Sequence, residues 1–442
     1  MNTITHHGYI ALGEEQVSAT LRLGGDEISL DVATTGFATN LPERLELVRF
    51  SSNTGLFTLI NLIRSRSNIR LGVAALSTYI GGLAFERAQF ESKDQILSRT
   101  WSFHIEDIAK IFHVNGLNEE FYVSESSVVT VKYTVSTPPG VTLECPSNGI
   151  HVTLKQNFTT RGNKFDGPSL ELSYPIDISF PEEVRLEVAV SKIYQVKQFF
   201  SLLMGRTLPI SNISIQLPRE ISSQPVNIHG LRREESGKKP DRALITPESE
   251  AVLAQLLDLW LMRYDELRDA IRLHMSGLEN TTLPLEIRFQ TFVQALEALH
   301  RRTAPAKNGP IDTVPIRDAL RERSINQDVI DRVVGLLAHA HEPGLRQRLT
   351  YYWNRYEAEI ATLRPDQRRK PFISRVAATR NHYAHRTERD QQVFDYADLW
   401  DATETLKALS HMALLGEIGT DTSGIGRKIL DLRFAEYVAH EH

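Results

Sequence analysis

The sequence predicts an α+β protein with a β-rich N-terminal domain, either a sandwich or an irregular barrel, followed by an all-α helical bundle. Three observations carry this prediction. Apolar and polar residues alternate with period two through much of the first half of the chain. A charged, nearly apolar-free stretch, "LRREESGKKPDR" (231–242), then interrupts the pattern. Beyond it, apolar residues recur every three or four positions, the spacing of helices with one buried face. The expected organisation is a β-rich domain over 1–230, a linker over 231–243 and a helical domain over 244–442. A chain of 442 residues is longer than one core usually holds, which agrees with more than one domain.

In chain order, "GLFTLINLI" to "TYIGGLAF" (55–84) reads equally as buried strands or a short helix. "SSVVTVKYTVS" (126–136) alternates Val129, Val131, Tyr133 and Val135 with polar residues, as a half-buried strand does. The turn cluster "TPPG" (137–140) follows, and "VTLECP" and "IHVTLKQNF" resume the strand pattern. "PIDISF" and "VRLEVAV" are two further expected strands, split by Pro181 and its acidic neighbours. In "SKIYQVKQFFSLLMG" (191–205), Ile193, Val196, Phe200 and Leu203 share a helical face, and Gly205 sits where a left-handed cap is expected.

The helical half begins with Thr246-Pro247-Glu248, a helix start with a cap, a pre-set φ and an acid near the positive dipole end. A stripe from Leu253 to Ile271 follows. A second helix opens near Pro284 and buries Phe289, Phe292, Val293, Leu296 and Leu299. "DVIDRVVGLLAHA", "LRQRLTYYWNRYEAEIATL" and "PFISRVAATRNHYAHRT" each read as one helix, the last starting on Pro371. Leu399, Ala402, Leu406, Leu409 and Ala413 keep one face through to Gly416. Amphipathic helices joined by short polar loops make a bundle.

Composition narrows the function. A single cysteine, Cys145, excludes an intramolecular disulfide framework and any multi-thiolate zinc site. No apolar run approaches the roughly 18 residues of a membrane helix, and "MNTITHHGYIALGEEQ" has no basic start before an apolar core. The expected location is the cytoplasm, with no membrane partner. A net charge of −5 argues against indiscriminate coating of nucleic acid. It conceals one local exception: between Arg364 and Arg389 eight cations stand against two acids, a local +6. That is the electrostatic footprint of a polyanion site, or a solvated basic face.

Within this segment lies "TRNHYAHRTERD" (379–390), open to three readings. The first is a solvated polar helix face. The second pairs His382 with His385 as metal ligands, which needs a further ligand that neither an "HExxH" nor a thiolate pair supplies nearby. The third is an active site. Asn381 and His385 are four apart and project from one side of a helix, with Arg380 about 100° round from Asn381. A histidine moves protons near neutral pH, an arginine fork binds phosphate, and an amide orients either. Those groups suit RNA cleavage in which the 2′-hydroxyl attacks its neighbouring phosphate.

A helical bundle carrying R-N-x-x-x-H near its last helices resembles the HEPN superfamily, whose motif is R-x4–6-H with a polar residue after the arginine. Arg380, Asn381 and His385 match it. The helix "IRFQTFVQALEALHRR" (287–302), with Leu296-Glu297, is similar to that of the Apea-like branch of prokaryotic defence proteins. The β-rich half resembles the domain that accompanies this branch. The resemblance implies a metal-independent endoribonuclease without cofactors, active in antiphage abortive infection, with RNA (tRNA among the candidates) as substrate and a 2′,3′-cyclic phosphate as product. His385 would be the general base or acid, Arg380 the phosphate contact and Asn381 the polar partner, with Arg375 and Arg386 in the basic patch as further RNA contacts. It also implies a homodimer or higher oligomer with a composite cleft, and a β-rich domain that answers to a phage-derived trigger. The alternative is a non-catalytic HEPN-type module that binds RNA or a partner. Glu297 and His300, three apart on another helix, are expected as a surface pair, with lining of the same cleft as the alternative. Tyr383 is expected in the core, and His382 facing solvent or lining the substrate.

Overall fold

The computed structural model describes residues 3–12, 15–24, 27–34, 41–68, 75–112, 117–123, 129–135, 140–161, 169–218, 224–231, 242–280, 282–304, 311–338, 342–385 and 391–431. By its internal contacts the chain divides into two compact units, Met1–Met204 with Leu208–Leu261, and Gly205–Thr207 with Met262–His442. Most of the expected linker (232–241) and residues 137–139 of the turn cluster lie outside the described residues.

The first unit is built on antiparallel strands. β1 (Ile4–Leu12), β2 (Glu15–Gly24), β3 (Glu27–Thr34), β4 (Arg44–Ser52), β5 (Gly55–Asn68) and β6 (Ala75–Ile80) close on themselves in the order β5-β4-β1-β2-β3-β6-β5. This is a barrel, not a sandwich, and the ambiguous 55–84 stretch is strand. Alternate residues point inward, among them Ile10, Leu21, Leu30, Val32, Val48, Phe50, Leu59 and Tyr79, and the interior is a packed core. Tyr79 keeps its hydroxyl satisfied by donating to the Pro42 carbonyl at 2.8 Å.

An open sheet grows from the same barrel strand. β7 (Leu83–Glu86) pairs with β5 at Phe57–Ile60, while β6 pairs with β5 from Ile63 onward. The two thus run one after the other along a single edge of β5. Between them Gly81 and Gly82 take φ of +80° and +72°, and a side chain at Gly82 would meet the Ile60 carbonyl at 2.0 Å. After β7 come β8 (Leu97–Ile105), a short α1 (Ala109–Phe112), and the two-stranded pair β9 (Leu117–Val123) and β10 (Val129–Val135). β11 (Val141–Cys145), β12 (Ile150–Leu154), a second pair β13 (Asn157–Arg161) and β14 (Ser169–Ser173), and β15 (Pro175–Arg185) follow. Pro181 does not end β15. The register shifts between Ser179 and Val184, a bulge that tolerates its missing N–H. "VRLEVAV", expected as a strand, divides: Val184 and Arg185 close β15, and Leu186 opens α2 (Leu186–Met204). From Leu186 the buried positions Ala189, Ile193, Val196, Phe200 and Leu203 follow helical spacing, which overrides the short-range alternation. Gly205 takes the left-handed φ of +71° expected of it. β16 (Ile210–Gln216) and β17 (Val226–His229) complete the sheet, in the order β11-β12-β15-β8-β16-β17-β7.

The second unit is helical. α3 (Glu250–Glu279) begins in the first unit and ends in the second. Its cap is Ser249, whose hydroxyl accepts from the Val252 N–H, so the helix starts three residues after the Thr246 expected. α4 (Leu285–Thr303) opens after Pro284 as anticipated. α5 (Val314–Glu322), which the sequence reading missed, buries no residue; α6 (Gln327–Ala338) follows it. The run expected as one helix over 345–363 is two, α7 (Leu345–Arg355) and α8 (Glu357–Leu363). They meet at Tyr356, which leaves helical geometry (φ −121°, ψ 28°) with its hydroxyl against the backbone of Gly416. α9 (Arg369–His385) and α10 (Tyr396–Glu417) complete the bundle, and Asp395 caps α10 by accepting from the Asp398 N–H. Among the described residues no helix is long and apolar enough to cross a membrane.

α10 is buried on nearly every side, with Ala402–Leu406 and Ala408–Leu415 all inaccessible. Its hydroxyls satisfy themselves on their own helix: Thr403 donates to Leu399, Thr405 to Asp401 and Ser410 to Lys407. Glu404 pairs with Lys407 at 2.7 Å. His274 of α3 sits fully buried between Ser410 Oγ (2.8 Å from Nδ1) and His411 Nδ1 (3.1 Å from Nε2). Because the Ser410 hydroxyl hydrogen is engaged with Lys407, Oγ accepts from His274 Nδ1–H, and Nε2 must accept from His411. A second proton on His274 would turn Nε2 into a donor and require His411 to give up its Nδ1 proton. Burial, followed by the charges of His411 and Lys407, holds its pKa well below the ordinary 6.5.

Two outcomes follow from this packing. The unfolded chain binds a proton at His274 below pH 6.5 and the folded chain does not, so stability is full above that value and falls as pH drops beneath it. Melting temperature should decline between pH 6.5 and 5, and His274→Gln should flatten that slope. Gly277 of α3 lies under the Phe292 ring, where a Cβ would come within 2.6 Å of a buried aromatic carbon. Overpacking of about 1–3 kcal/mol exceeds the gain of up to about 1 kcal/mol in helix propensity. Gly277→Ala should therefore lower the denaturation midpoint.

Candidate active site

α9 carries the motif, and its own burial pattern sets where each motif residue points. Phe372, Ile373, Val376, Ala377 and Thr379 face inward. The Phe372 ring packs on Trp353 at 5.2 Å and on Phe394 at 6.2 Å. Thr379 Oγ1 accepts from the Phe394 backbone N–H at 3.0 Å and so ties the chain entering α10 back to the end of α9. Arg380 continues the inward stripe from Val376, and its side chain is 31% exposed. Asn381 and His385, four apart, are exposed on the solvent side of the last turn.

The inward position of Arg380 brings it to α4. Its Nη2 lies 3.7 Å from Glu297 Oε2, an ion pair without a hydrogen bond, and its Nη1 donates to Asn381 Oδ1 at 3.4 Å. Glu297 is itself held from behind. The buried guanidinium of Arg348 donates to the Glu297 carbonyl at 3.1 Å, to the Pro343 carbonyl at 2.7 Å and to Glu342 at 3.4 Å. Glu297 and His300 are therefore not a surface pair. Glu297 meets the motif arginine, and His300 is buried edge-on to Tyr351 and Tyr352, with ring centroids 5.1 and 6.0 Å away. Tyr383 is half-buried instead of fully in the core, and His382, also half-buried, packs against its ring at 5.2 Å. Among the described residues no three His, Cys, Asp or Glu side chains converge as metal ligands would.

The basic patch is weaker in three dimensions than in sequence. The start of α10 brings two acids to it: Asp398 pairs with Arg375 at 2.6 Å and Asp401 with Arg364 at 2.5 Å. The Arg375 guanidinium also lies 4.3 Å over the Phe394 ring. Arg386 and Arg389 lie outside the described residues.

Two domain families match the chain: ApeA N-terminal domain 1 over residues 6–260, and Apea-like HEPN over residues 291–423. The chain belongs to the ApeA-like HEPN family. The barrel and its sheet fall in the first match and the motif helix in the second. HEPN domains are generally ribonucleases that dimerise and bind RNA, and the ApeA-like branch serves antiphage defence. No curated protein and no solved structure matches the chain.

The ApeA-like motif divides by burial, and stability should divide with it. His385→Ala should change unfolding free energy by less than about 0.5 kcal/mol. Arg380→Ala removes the charge opposite the largely covered Glu297 and should cost about 0.5–1 kcal/mol. Denaturant titration of the two variants against the parent chain checks this order.

Proposed function

We propose that the chain is a metal-independent endoribonuclease that acts in antiphage abortive infection. The observation that carries the reading is the C-terminal end of α9, which carries a phosphate-binding fork (Arg380) that donates to the neighbouring amide (Asn381) and, five residues on, an exposed imidazole (His385). In the proposed reaction the ribose 2′-oxygen attacks its own 3′-phosphate. The O2′–P bond forms, the P–O5′ bond breaks, and a 2′,3′-cyclic phosphate and a 5′-hydroxyl remain. His385 takes the 2′-hydroxyl proton or gives one to the departing 5′-oxygen. Arg380 stabilises the charge that builds on the non-bridging oxygens. Asn381 orients the guanidinium and the phosphate.

The proposed substrate is RNA presented as a single-stranded loop, such as one in tRNA, where bases are free to splay out. Arg375 and Arg386 are proposed as further contacts along the strand. In a homodimer two motif helices face each other and supply both proton carriers to one cleft. The β-rich unit is proposed to answer to a phage-derived trigger and govern the nuclease. The proposed organisation keeps that unit within 1–230 and the nuclease within 244–442, and the proposed location is the cytoplasm.

Purified protein incubated with total bacterial RNA in EDTA should cut it and leave cyclic-phosphate ends. His385→Ala should lower the rate at least about 100-fold. A His385→Ala protein that cuts at the parent rate, or cleavage lost in EDTA and restored by a divalent ion, would overturn the assignment.

A further inference from the structure

A cleft of about 340 Å³ opens where α8, α9 and the start of α10 meet, and none of the motif residues lines it. Arg364, Asp366, Arg375, Phe394, Asp398 and Asp401 are among its walls. Its size suits one nucleoside. Its charge does not suit a phosphate. Arg364 and Arg375 are each engaged by an acid, Asp401 and Asp398 respectively, and Asp366 adds a further negative charge. An anion entering the cleft meets more carboxylate than free guanidinium.

What the cleft offers is acceptors beside a flat cation. Asp398 and Asp401 are three apart in the first turns of α10 and so share a face. Each gives one oxygen to its arginine, Oδ2 of Asp398 and Oδ1 of Asp401, and among the described residues the other oxygen accepts no hydrogen bond. The Arg375 guanidinium, backed by the Phe394 ring at 4.3 Å, is a planar platform of the kind on which bases stack. A base that fits must present adjacent donors on its pairing edge. Guanine does, through N1–H and N2–H2. Adenine and cytosine place a ring acceptor beside their amino group, and uracil flanks its one N–H with two carbonyls, so each sets a lone pair against a carboxylate.

We propose that this cleft is a nucleobase subsite that selects guanine in single-stranded RNA, with Asp398 and Asp401 reading the N1–H and N2–H2 edge and Arg375 as the stacking platform. The proposal rests on the ribonuclease reading for its substrate. Ten residues of α9 separate Arg375 from His385, about 15 Å along the axis. The selected base therefore lies some way along the strand from the cut phosphate, and specificity and chemistry occupy different ends of one helix.

The test uses the full chain carrying His385→Ala and fluorescent oligouridines that bear one central guanosine, inosine or adenosine. Inosine lacks only the N2 amino group, so the contrast needs no change to the protein. Guanosine should bind about tenfold more tightly than inosine or adenosine, and Asp401→Asn or Asp398→Asn should bring the three within about twofold. Equal affinity for the three oligonucleotides, or a guanosine preference untouched in both folded variants, overturns the subsite. RNA cleavage by the parent chain without any base preference would remove the subsite and leave the nuclease standing. If the chain neither cuts nor binds RNA, equilibrium dialysis with guanosine and inosine decides: a guanosine preference keeps the subsite, and its absence removes it.

Discussion

A helix enclosed on nearly every side must satisfy its polar groups without water, and the second unit is organised around α10 meeting that demand. Its hydroxyls turn back to their own helix, and His411 and Ser410 share the imidazole of His274. Its middle meets α4 through Glu404, 3.9 Å from Arg288, and its two ends carry acids that reach other helices. At the start, Asp398 and Asp401 engage Arg375 of α9 and Arg364 just after α8. At the end, Glu417 engages Arg263 of α3 at 2.7 Å and Arg355 of α7 at 3.0 Å. The apolar middle therefore drives association, while the charged ends fix which helices lie against which. The motif depends on this order, because Thr379 is fastened to Phe394 just before α10 begins.

In the first unit the corresponding constraint is topological. One edge of β5 is asked to complete a barrel over half its length and to start an open sheet over the other half. The strand that runs beside it has to divert between those halves, and two successive residues of positive φ, Gly81 and Gly82, allow it. Asn61 of β5, opposite the bend, also takes a positive φ of 58°, so both partners yield at the same level. Closure removes the free edges of the six barrel strands, and among the described residues β11 is the last strand of the open sheet.

These features explain which parts of the chain were legible from sequence. The motif was legible because Arg380, Asn381 and His385 lie on one helix, where spacing alone determines relative direction. The class of each half was legible from periodicity. Barrel closure was not, since alternation shows that a strand has two faces and says nothing of which strand lies beside it. α5 escaped because a helix that buries nothing leaves no enclosed stripe to recognise. The partners of the arginines escaped for a different reason. Glu297 is 83 residues before Arg380 in the chain, and Asp398 and Asp401 follow the window in which the basic charges were counted. Arg364 and Arg375 meet acids of α10 and Arg380 meets an acid of α4, so three of the eight cations in that run are offset in the fold.

The disposition of the motif itself carries a consequence for the proposed chemistry. Arg380 and His385 are five residues apart, which on an α-helix is about 140° of rotation and about 7.5 Å of rise. Arg380 faces inward toward α4 and Glu297, while His385 faces solvent. One straight helix end does not naturally aim both groups at a single phosphate. A second motif helix facing the first would answer this, because a two-fold axis places the arginine of one copy across from the histidine of the other. On that geometry the 3.7 Å ion pair with Glu297 has a specific role. It holds the guanidinium inward with no hydrogen bond to Glu297, which in the proposed reaction would leave that side of the fork available to a phosphate from the opposite side.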